Sequence, residues 1–174
     1  MAANLQMIVD VVDANNVPVG AARRADVLPN GLNFRTVHVL LMDAGGKVML
    51  QLLPRHHRRS PSKLGSSVAG YVQRGETYQQ AARRKLSEEL SISADLQEVG
   101  TWPMHDEKSA KFVQLFVGRT HERPSFDRDE IADLISLDLL NLEQRVRDCP
   151  NEFTSTFLFV YGKFKSVGGF YLVP

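Results

Sequence analysis

The sequence predicts one α/β layered domain spanning residues 1–174, and three observations lead to this prediction. Residues 36–42 and 47–53 are nearly continuous apolar runs, as expected of central strands that are covered on both faces. Residues 77–92 instead repeat their apolar side chains with the period of a helix. A chain of 174 residues can also bury a substantial core, and interleaved strands and helices favour a layered arrangement.

A β-hairpin is predicted before the central strands. Residues 6–12 and 17–22 are rich in side chains that favour extended structure, and the turn residues Asn15 and Asn16 separate them. Residues 43–46, with sequence Asp-Ala-Gly-Gly, form a turn between the two central strands. Short turns therefore connect each pair of predicted strands.

Two more strands and two helices are predicted in the second half of the chain. The strands are expected at residues 96–102 and 111–117, and a helix capped by Ser136 or Asp138 is expected to reach Asp148. Five large apolar residues then follow at helical spacing. They are Phe153, Phe157, Val160, Tyr161 and Phe164. We expect this stripe to pack in the core or in a homodimer interface.

Composition excludes several classes of function. The net charge of +1 argues against a general nucleic-acid binder or a membrane-surface protein. No apolar run approaches the roughly 20 residues that span a bilayer, and the N-terminus lacks the pattern of a signal peptide. Cys149 is the single cysteine and cannot form an internal disulfide, which predicts a location in the reducing cytoplasm.

Residues 70–92 carry the most specific pattern in the chain, a glycine-containing loop that leads into a helix. Thr77 followed by Gln80 is a capping-box signature for the first turn. Leu86 and Leu90 share an apolar face with Ala82. Polar side chains occupy a contiguous arc elsewhere on the helix, as on a solvated face with (i, i+4) ion pairs. They are Arg84, Lys85, Glu88 and Glu89.

This segment resembles the Nudix box, Gly-x5-Glu-x7-Arg-Glu-U-x-Glu-Glu-x-Gly-U, in which U is aliphatic. Seven of its nine defined positions match, and they are Gly70, Glu76, Arg84, Leu86, Glu88, Glu89 and Ile92. Lys85 stands where the family has a glutamate, and Ser91 stands where it has a glycine. The resemblance implies an α/β/α sandwich with a mixed sheet, in which the box forms a loop-helix-loop.

The resemblance also implies hydrolysis of a diphosphate linkage in a nucleoside diphosphate derivative or a related small molecule, with Mg²⁺ or Mn²⁺ as cofactor. Hard cations take oxygen ligands, and a bound cation can activate water and stabilise the leaving phosphate. We expect Glu88 and Glu89 to bind the cation and to be catalytic, with Glu76 as an accessory metal ligand. Arg84 is expected to orient the carboxylate of Glu88.

Lys85 changes the charge expected at this site. A fixed ammonium near the cation position repels a divalent ion, and Lys85 is spaced to pair with Glu89. Two interpretations follow: the metal site is weakened, or the ammonium contacts a phosphate of the substrate. Lys85→Glu is therefore expected to strengthen Mg²⁺ binding.

Further substrate-binding residues are expected outside the helix. Residues 54–65 form a basic loop, which is either a solvated surface loop or a rim that contacts phosphate. Its candidate phosphate ligands are Arg55, Arg58, Arg59 and Lys63. Gly70, which opens the box, is also expected to contact substrate. The candidates for a general base outside the box are Asp106, Glu107, Glu122 and Glu130.

The chain is similar over most of its length to the branch of the family that includes isopentenyl-diphosphate isomerase. Residues 11–16 leading to Gly20, residues 68–70 and the Phe153-Thr154 pair carry this similarity. That isomerase uses a cysteine just before the box glycine, whereas residues 66–69 contain none, and Phe34 stands where it has a metal-binding histidine. The similarity therefore implies an isomerase-like Nudix hydrolase. The alternative is a catalytically weak Nudix domain that binds a phosphorylated ligand.

Overall fold

The computed structural model describes residues 6–105 and 110–169, and its N-terminal part is the predicted hairpin. Strands β1 (Ile8–Val12) and β2 (Pro18–Arg23) pair antiparallel and lead into a short helix, α1 (Arg24–Val27). Val9, Val27 and Phe34 form a small apolar cluster that packs the hairpin against the start of the next strand. Two predicted candidates for a general base, Asp106 and Glu107, lie outside the described residues.

The centre of the molecule is a mixed sheet built around β3 (Phe34–Met42), which is buried along almost its whole length. On one edge β3 pairs in parallel with β8 (Ala110–Arg119), and β8 pairs antiparallel with β7 (Leu96–His105). On the other edge β3 meets β4 (Val48–Leu52) through Leu41 and Met42. These four strands confirm the predicted ones, although β7 continues three residues beyond the prediction.

Three short strands complete the sheet. Strand β5 (Leu64–Gly65) pairs with β4, and β6 (Val68–Tyr71) pairs with β3. Strand β9 (Asp133–Leu137) pairs antiparallel with β4. The prediction missed β9, because Ser136 was considered as a helix cap. Ser136 instead pairs with Met49 within the sheet.

Helices cover both faces of the sheet. On one face, α2 (Tyr78–Leu90) packs its apolar side against alternate side chains of β3 such as Val37 and Val39. On the other face, α3 (Leu139–Asp148), a 3₁₀ turn (Pro150–Glu152) and α4 (Ser155–Ser166) follow one another. The chain is therefore an α/β/α sandwich, as expected. Within the described residues, no helix combines the length and apolar character needed to cross a bilayer.

The aromatic stripe of α4 packs inside the molecule. Phe153 and Phe157 stack with ring centroids 5.1 Å apart, and both are buried against Leu40 and Leu115 of the sheet. Burial of such aromatic surface contributes on the order of 2–3 kcal/mol for each side chain. Of the two interpretations of this stripe, packing in the core is the one that the structure shows.

The predicted capping box fixes the start of α2. The Gln80 amide donates to Thr77 Oγ1 at 3.2 Å, and the Thr77 amide donates to Gln80 Oε1 at 2.8 Å. The hairpin turn holds this end of the helix from outside, because Arg35 donates to Asn16, which also hydrogen-bonds the Tyr78 hydroxyl. The first turn of α2 is thus held both by its own capping box and by the hairpin turn.

Candidate active site

The Arg84 guanidinium links the loop, the strand and the helix of residues 70–92. Its Nε and Nη2 donate to the two carboxylate oxygens of Glu76, each at 2.8 Å, which is a bidentate pair. Nη2 also donates to the Tyr71 carbonyl at 3.0 Å, and Nη1 donates to Glu88 at 3.2 Å. Arg84 therefore contacts Glu76 and Glu88 at the same time, and its role in orienting Glu88 stays a prediction.

Glu76 is held in one geometry by several donors. Besides Arg84, the amide of Gln73 donates to its carboxylate at 2.9 Å. Burial of the Glu76 carboxyl raises its pKa, but the hydrogen bonds from Arg84 and Gln73, with the charges of Arg84 and Lys85, outweigh burial and lower it. Glu76 is thus ionised near neutral pH, with its oxygens directed at Arg84.

Lys85 is buried, although it lies on the polar arc of the helix. It is only 8% exposed, and its Nζ lies 2.5 Å from Glu89 Oε1 and 3.2 Å from Glu88 Oε2. The predicted pairing with Glu89 is present. The interpretation of the polar arc as a solvated face does not hold for Lys85, because its side chain packs over Gly70 of the sheet.

Gly70 provides the space that the Lys85 side chain occupies. A Cβ atom at Gly70 would lie 2.6–2.9 Å from the Cγ, Cδ and Cε atoms of Lys85, closer than such contacts are found. The aliphatic stem of Lys85 therefore passes directly over the Gly70 backbone on β6. A glycine is needed here because it leaves room for that stem.

Glu89 is held from the sheet as well as from the helix. Gln51 on β4 is buried, and its Nε2 donates to Glu89 Oε2 at 2.8 Å. The Glu89 side chain is 14% exposed, whereas that of Glu88 is 47% exposed. One carboxylate of the pair is therefore fixed at the base of the site and the other faces solvent.

The three box carboxylates and two cations form one row of alternating charge. Arg84 lies between Glu76 and Glu88, and Lys85 lies between Glu88 and Glu89. Within residues 6–105 and 110–169, no group of three or more acidic, histidine or cysteine side chains is arranged to hold a metal ion. The carboxylates thus do not gather into an open pocket of three.

Two of these carboxylates do suit a hard cation. Glu88 and Glu89 both contact the Lys85 ammonium, which is a stand-in cation in the position between them. Mg²⁺ is commonly bound by one or two carboxylates, with water and substrate phosphate oxygens as its other ligands. Glu88 and Glu89 therefore fit the cation that the resemblance implies, whereas Glu76 is directed at Arg84.

The basic loop at residues 54–65 follows β4, which ends at Leu52, and its last two residues form β5. There Gly65 pairs with Gln51 of β4. Arg55, Arg58 and Arg59 are exposed and Lys63 is half-buried. His56 contacts the Asp129 carbonyl at 3.0 Å, so the loop lies against the turn at residues 127–130. Its cations remain proposed phosphate ligands.

A cleft of about 690 Å³ opens on the face of the sheet that α2 covers, and it was not predicted from the sequence. Its lining includes the apolar side chains of Met49, Phe126 and Leu134 and the charged Arg128. Leu134 is the cross-strand partner of Gln51, which donates to Glu89. The cleft lining therefore includes the cross-strand neighbour of the residue that holds Glu89.

Two of the candidates for a general base can be placed. Glu122 accepts a hydrogen bond from Ser93 Oγ at 2.9 Å, beyond the C-terminal end of α2, and it also lines the cleft. Glu130 is exposed in the turn at residues 127–130. The geometry of the described residues assigns the role of base to neither of them.

A buried histidine on the opposite face of the sheet was not singled out from the sequence. His38 Nδ1 lies 2.9 Å from Ser66 Oγ, and both residues are buried. Burial, with a smaller effect from the charge of Lys111, lowers the pKa of His38 to about 3. His38 is therefore neutral in the folded protein near neutral pH.

Curated relatives match most of the chain. It is 26% identical over 155 residues to isopentenyl-diphosphate Delta-isomerase 2 of Photorhabdus laumondii, a match that covers 86% of this chain and 88% of that protein. It is 27% identical over 130 residues to an uncharacterized Nudix hydrolase of Nostoc sp., covering 72% and 77% of the two chains.

Solved structures share the fold. DR0079 from Deinococcus radiodurans superposes with a TM-score of 0.75 at 23% identity, covering 88% of this chain and 96% of that one. The Nudix domain of Shewanella oneidensis NrtR, solved with ADP ribose, gives a TM-score of 0.60 at 15% identity and covers 83% and 98%. The model of the NUDIX domain family matches residues 32–157, a segment that includes the whole box. The chain therefore belongs to the Nudix family.

Proposed function

We propose that this chain hydrolyses a diphosphate linkage in a nucleoside diphosphate derivative or a related compound, with Mg²⁺ or Mn²⁺. The observation that carries the proposal is the pair of carboxylates, Glu88 and Glu89, that together contact one cation position. Membership of the Nudix family supports the reaction class. The diphosphate is a small-molecule substrate, so neither a membrane nor nucleic acid is required as a partner.

Glu88 and Glu89 would hold the cation in this proposal. When bound, the cation neutralises phosphate charge and lowers the pKa of a coordinated water. Arg84 keeps the Glu88 carboxylate oriented, and Gln51 keeps the Glu89 carboxylate oriented. Each carboxylate thus has a hydrogen-bond donor that orients it, Glu89 at the base of the site and Glu88 on its exposed side.

In this proposal the basic loop at residues 54–65 binds the phosphates of the substrate. Arg55, Arg58 and Arg59 offer guanidinium groups suited to phosphate oxygens, and Lys63 adds a cation at the end of their loop. Lys85 and Gly70 complete the proposed substrate-binding set. The exposure of these three arginine residues supports this role.

The cleft beside Gln51 is proposed to receive the remainder of the substrate. A volume of about 690 Å³ is within the usual range for small-molecule sites and accommodates a nucleoside. Phe126 and Leu134 give it apolar surface for a planar base, and Arg128 lies over the Phe126 ring at 5.8 Å. This surface supports a nucleoside-containing substrate over inorganic diphosphate alone.

A second candidate function is binding of a phosphorylated ligand without turnover, as in a sensor. Lys85 favours it, because its ammonium already pairs with the two carboxylates that catalysis requires. The NrtR Nudix domain was solved with ADP ribose, so a domain of this fold binds such a compound. Isomerase activity is not favoured, because Ala69 stands in the segment before Gly70 and Cys149 is exposed at the end of α3.

Turnover of a substrate panel separates the two candidates. Dinucleoside polyphosphates, nucleotide sugars and nucleoside diphosphates are incubated with the protein and Mg²⁺ or Mn²⁺, and phosphate-containing products are quantified. Hydrolysis that is lost in Glu89→Gln supports the hydrolase. Saturable binding of a panel member without any product supports the binding module instead.

We also propose the context in which this activity operates. The chain forms one domain in this proposal, and a homodimer is one possible assembly, for which the buried aromatic stripe of α4 gives no support. A cytoplasmic location is favoured by the single exposed thiol of Cys149, which stays reduced there.

A further inference from the structure

We infer that Lys85 is an internal cation that occupies the position between Glu88 and Glu89, so that a divalent cation binds there only by displacing it. The inference rests on the cation position of the proposed function. It adds that metal binding and Lys85 pairing exclude each other, which makes Lys85 the residue that sets the metal affinity of this chain.

The contacts of the ammonium carry the first step. Lys85 Nζ lies 2.5 Å from Glu89 Oε1 and 3.2 Å from Glu88 Oε2, so it contacts one oxygen of each carboxylate. A metal ion placed between the same oxygens would lie within a few ångströms of Nζ, and two cations so close in a partly buried site repel strongly. The two cations therefore cannot share the position.

The fit of the Lys85 stem carries the second step. The Lys85 stem lies over the Gly70 backbone, and the residue is only 8% exposed. Packing of the stem therefore holds the ammonium near the carboxylates, in addition to the attraction between their charges. Glu89 is held from the other side by Gln51, whereas the Glu88 side chain is half exposed. The displaced ammonium therefore leaves on the Glu88 side, towards solvent.

The charge of the row carries the third step. Three glutamates with Arg84 and Lys85 have a formal charge of −1, so the row is nearly neutralised without a metal. Removal of the Lys85 charge leaves Glu89 without its cationic partner and leaves Glu88 paired with Arg84 alone. An added divalent cation then restores the missing charge, and its affinity rises.

Direct measurement of Mn²⁺ binding by electron paramagnetic resonance tests this inference. Lys85→Met removes the competing charge with a side chain of similar length, and we expect its Mn²⁺ affinity to exceed that of the wild type by about tenfold or more. Lys85→Glu, which adds a carboxylate ligand, should bind more tightly still. Lys47→Met removes one charge from an exposed position and should leave the affinity unchanged.

Equal affinity in the wild type and Lys85→Met overturns the inference, and so does a lack of Mn²⁺ binding in both Lys85 variants. These outcomes differ from failure of the proposed function. Tight metal binding by Lys85→Met without hydrolysis of any substrate would leave the inference standing and remove the hydrolase.

A measurement on the unaltered protein covers the case in which a Lys85 variant does not fold. Reductive methylation with formaldehyde is followed residue by residue by mass spectrometry, with and without Mn²⁺. We expect slow modification of Lys85 without metal and a several-fold faster rate when Mn²⁺ displaces the ammonium, with Lys47 unchanged. A Lys85 rate that does not respond to Mn²⁺ contradicts the inference.

Discussion

The Arg84 guanidinium donates to Glu76, to Glu88 and to the Tyr71 carbonyl, so one side chain connects a loop, a helix and a strand. The pairing raises the pKa of Arg84, chiefly through the hydrogen bond to Glu76. Lysine has no planar fork and cannot reproduce these contacts together. Arg84 therefore bridges the two carboxylates on either side of it.

Arg84→Lys is predicted to lower the free energy of unfolding by about 1–3 kcal/mol, since it removes charge-assisted hydrogen bonds that a single ammonium cannot replace. Urea denaturation at neutral pH measures the change. The neighbouring Arg83 is exposed, so Arg83→Lys is the matched control and should stay within about 0.5 kcal/mol of the wild type. Equal effects of the two substitutions would contradict the role of Arg84.

Gly70→Ala tests whether the Lys85 stem packs against the Gly70 backbone. The new Cβ would lie 2.6–2.9 Å from the Lys85 stem, so overpacking is predicted to cost about 1–3 kcal/mol. In a Lys85→Ala background the stem is absent, and the same substitution should cost less. A double-mutant cycle by urea denaturation measures this difference. Additive effects would show that Gly70 and Lys85 do not interact.

Helix α2 ends at a residue in a conformation that favours glycine. Ser91 has a φ of +55°, in the left-handed region, and its amide donates to the Ser87 carbonyl at 3.1 Å. The family pattern has a glycine at this position, and the geometry explains that preference physically. The departure at Ser91 therefore affects the stability of the helix end rather than the chemistry of the box.

Ser91→Gly is predicted to stabilise the protein by about 0.5–1 kcal/mol, because glycine adopts this conformation without steric cost. Thermal denaturation should show a higher midpoint. Ser87→Gly, at an exposed position inside the same helix, should instead destabilise by roughly 0.5 kcal/mol through its lower helix propensity. If both glycines destabilise the protein, the strain assigned to Ser91 is absent.

At the scale of elements, most of the fold could be predicted from the sequence. Apolar runs, turn residues and the Thr77 capping signature each act locally, so the strands β3 and β4 and helix α2 follow from them. Strand β9 escaped prediction, because its five residues are stabilised by pairing with β4, a contact between distant parts of the chain.

The site was less predictable for a related reason. Helical periodicity gives the direction in which Lys85 points, but not what packs there. The burial of Lys85 depends on Gly70 and β6, and the position of Glu89 depends on Gln51 on β4. The cleft beside Gln51 is formed by separate segments that only the tertiary structure brings together.

At the scale of the whole molecule, the core contains a group that couples stability to pH. His38 lies on the central strand, buried with Ser66, and its pKa is lowered to about 3 by burial and by the charge of Lys111. In the unfolded chain a histidine titrates near 6.5. Between these values the unfolded state binds more protons than the folded state, so acid favours unfolding.

The free energy of unfolding is therefore predicted to fall as the pH drops from 6.5 towards 3, with His38 contributing up to about 1.4 kcal/mol per pH unit. Above pH 6.5 His38 is neutral in both states, so its titration no longer changes the free energy of unfolding. His38→Gln can keep a hydrogen bond to Ser66 without titrating, so its stability should depend less on pH across this range. Urea denaturation from pH 7 to 4 checks this, and parallel curves for the two proteins would contradict it.

The central claim is that Glu88 and Glu89 form the cation-binding pair of a diphosphate hydrolase. Its most direct test is the rate of product formation on a panel of nucleoside diphosphate derivatives with Mg²⁺ or Mn²⁺, compared between the wild type and Glu89→Gln. We predict turnover by the wild type and a rate at least about a hundredfold lower in the variant, as when a group that stabilises the transition state is lost. Equal rates, or no product from any panel member with the wild type, would contradict the claim.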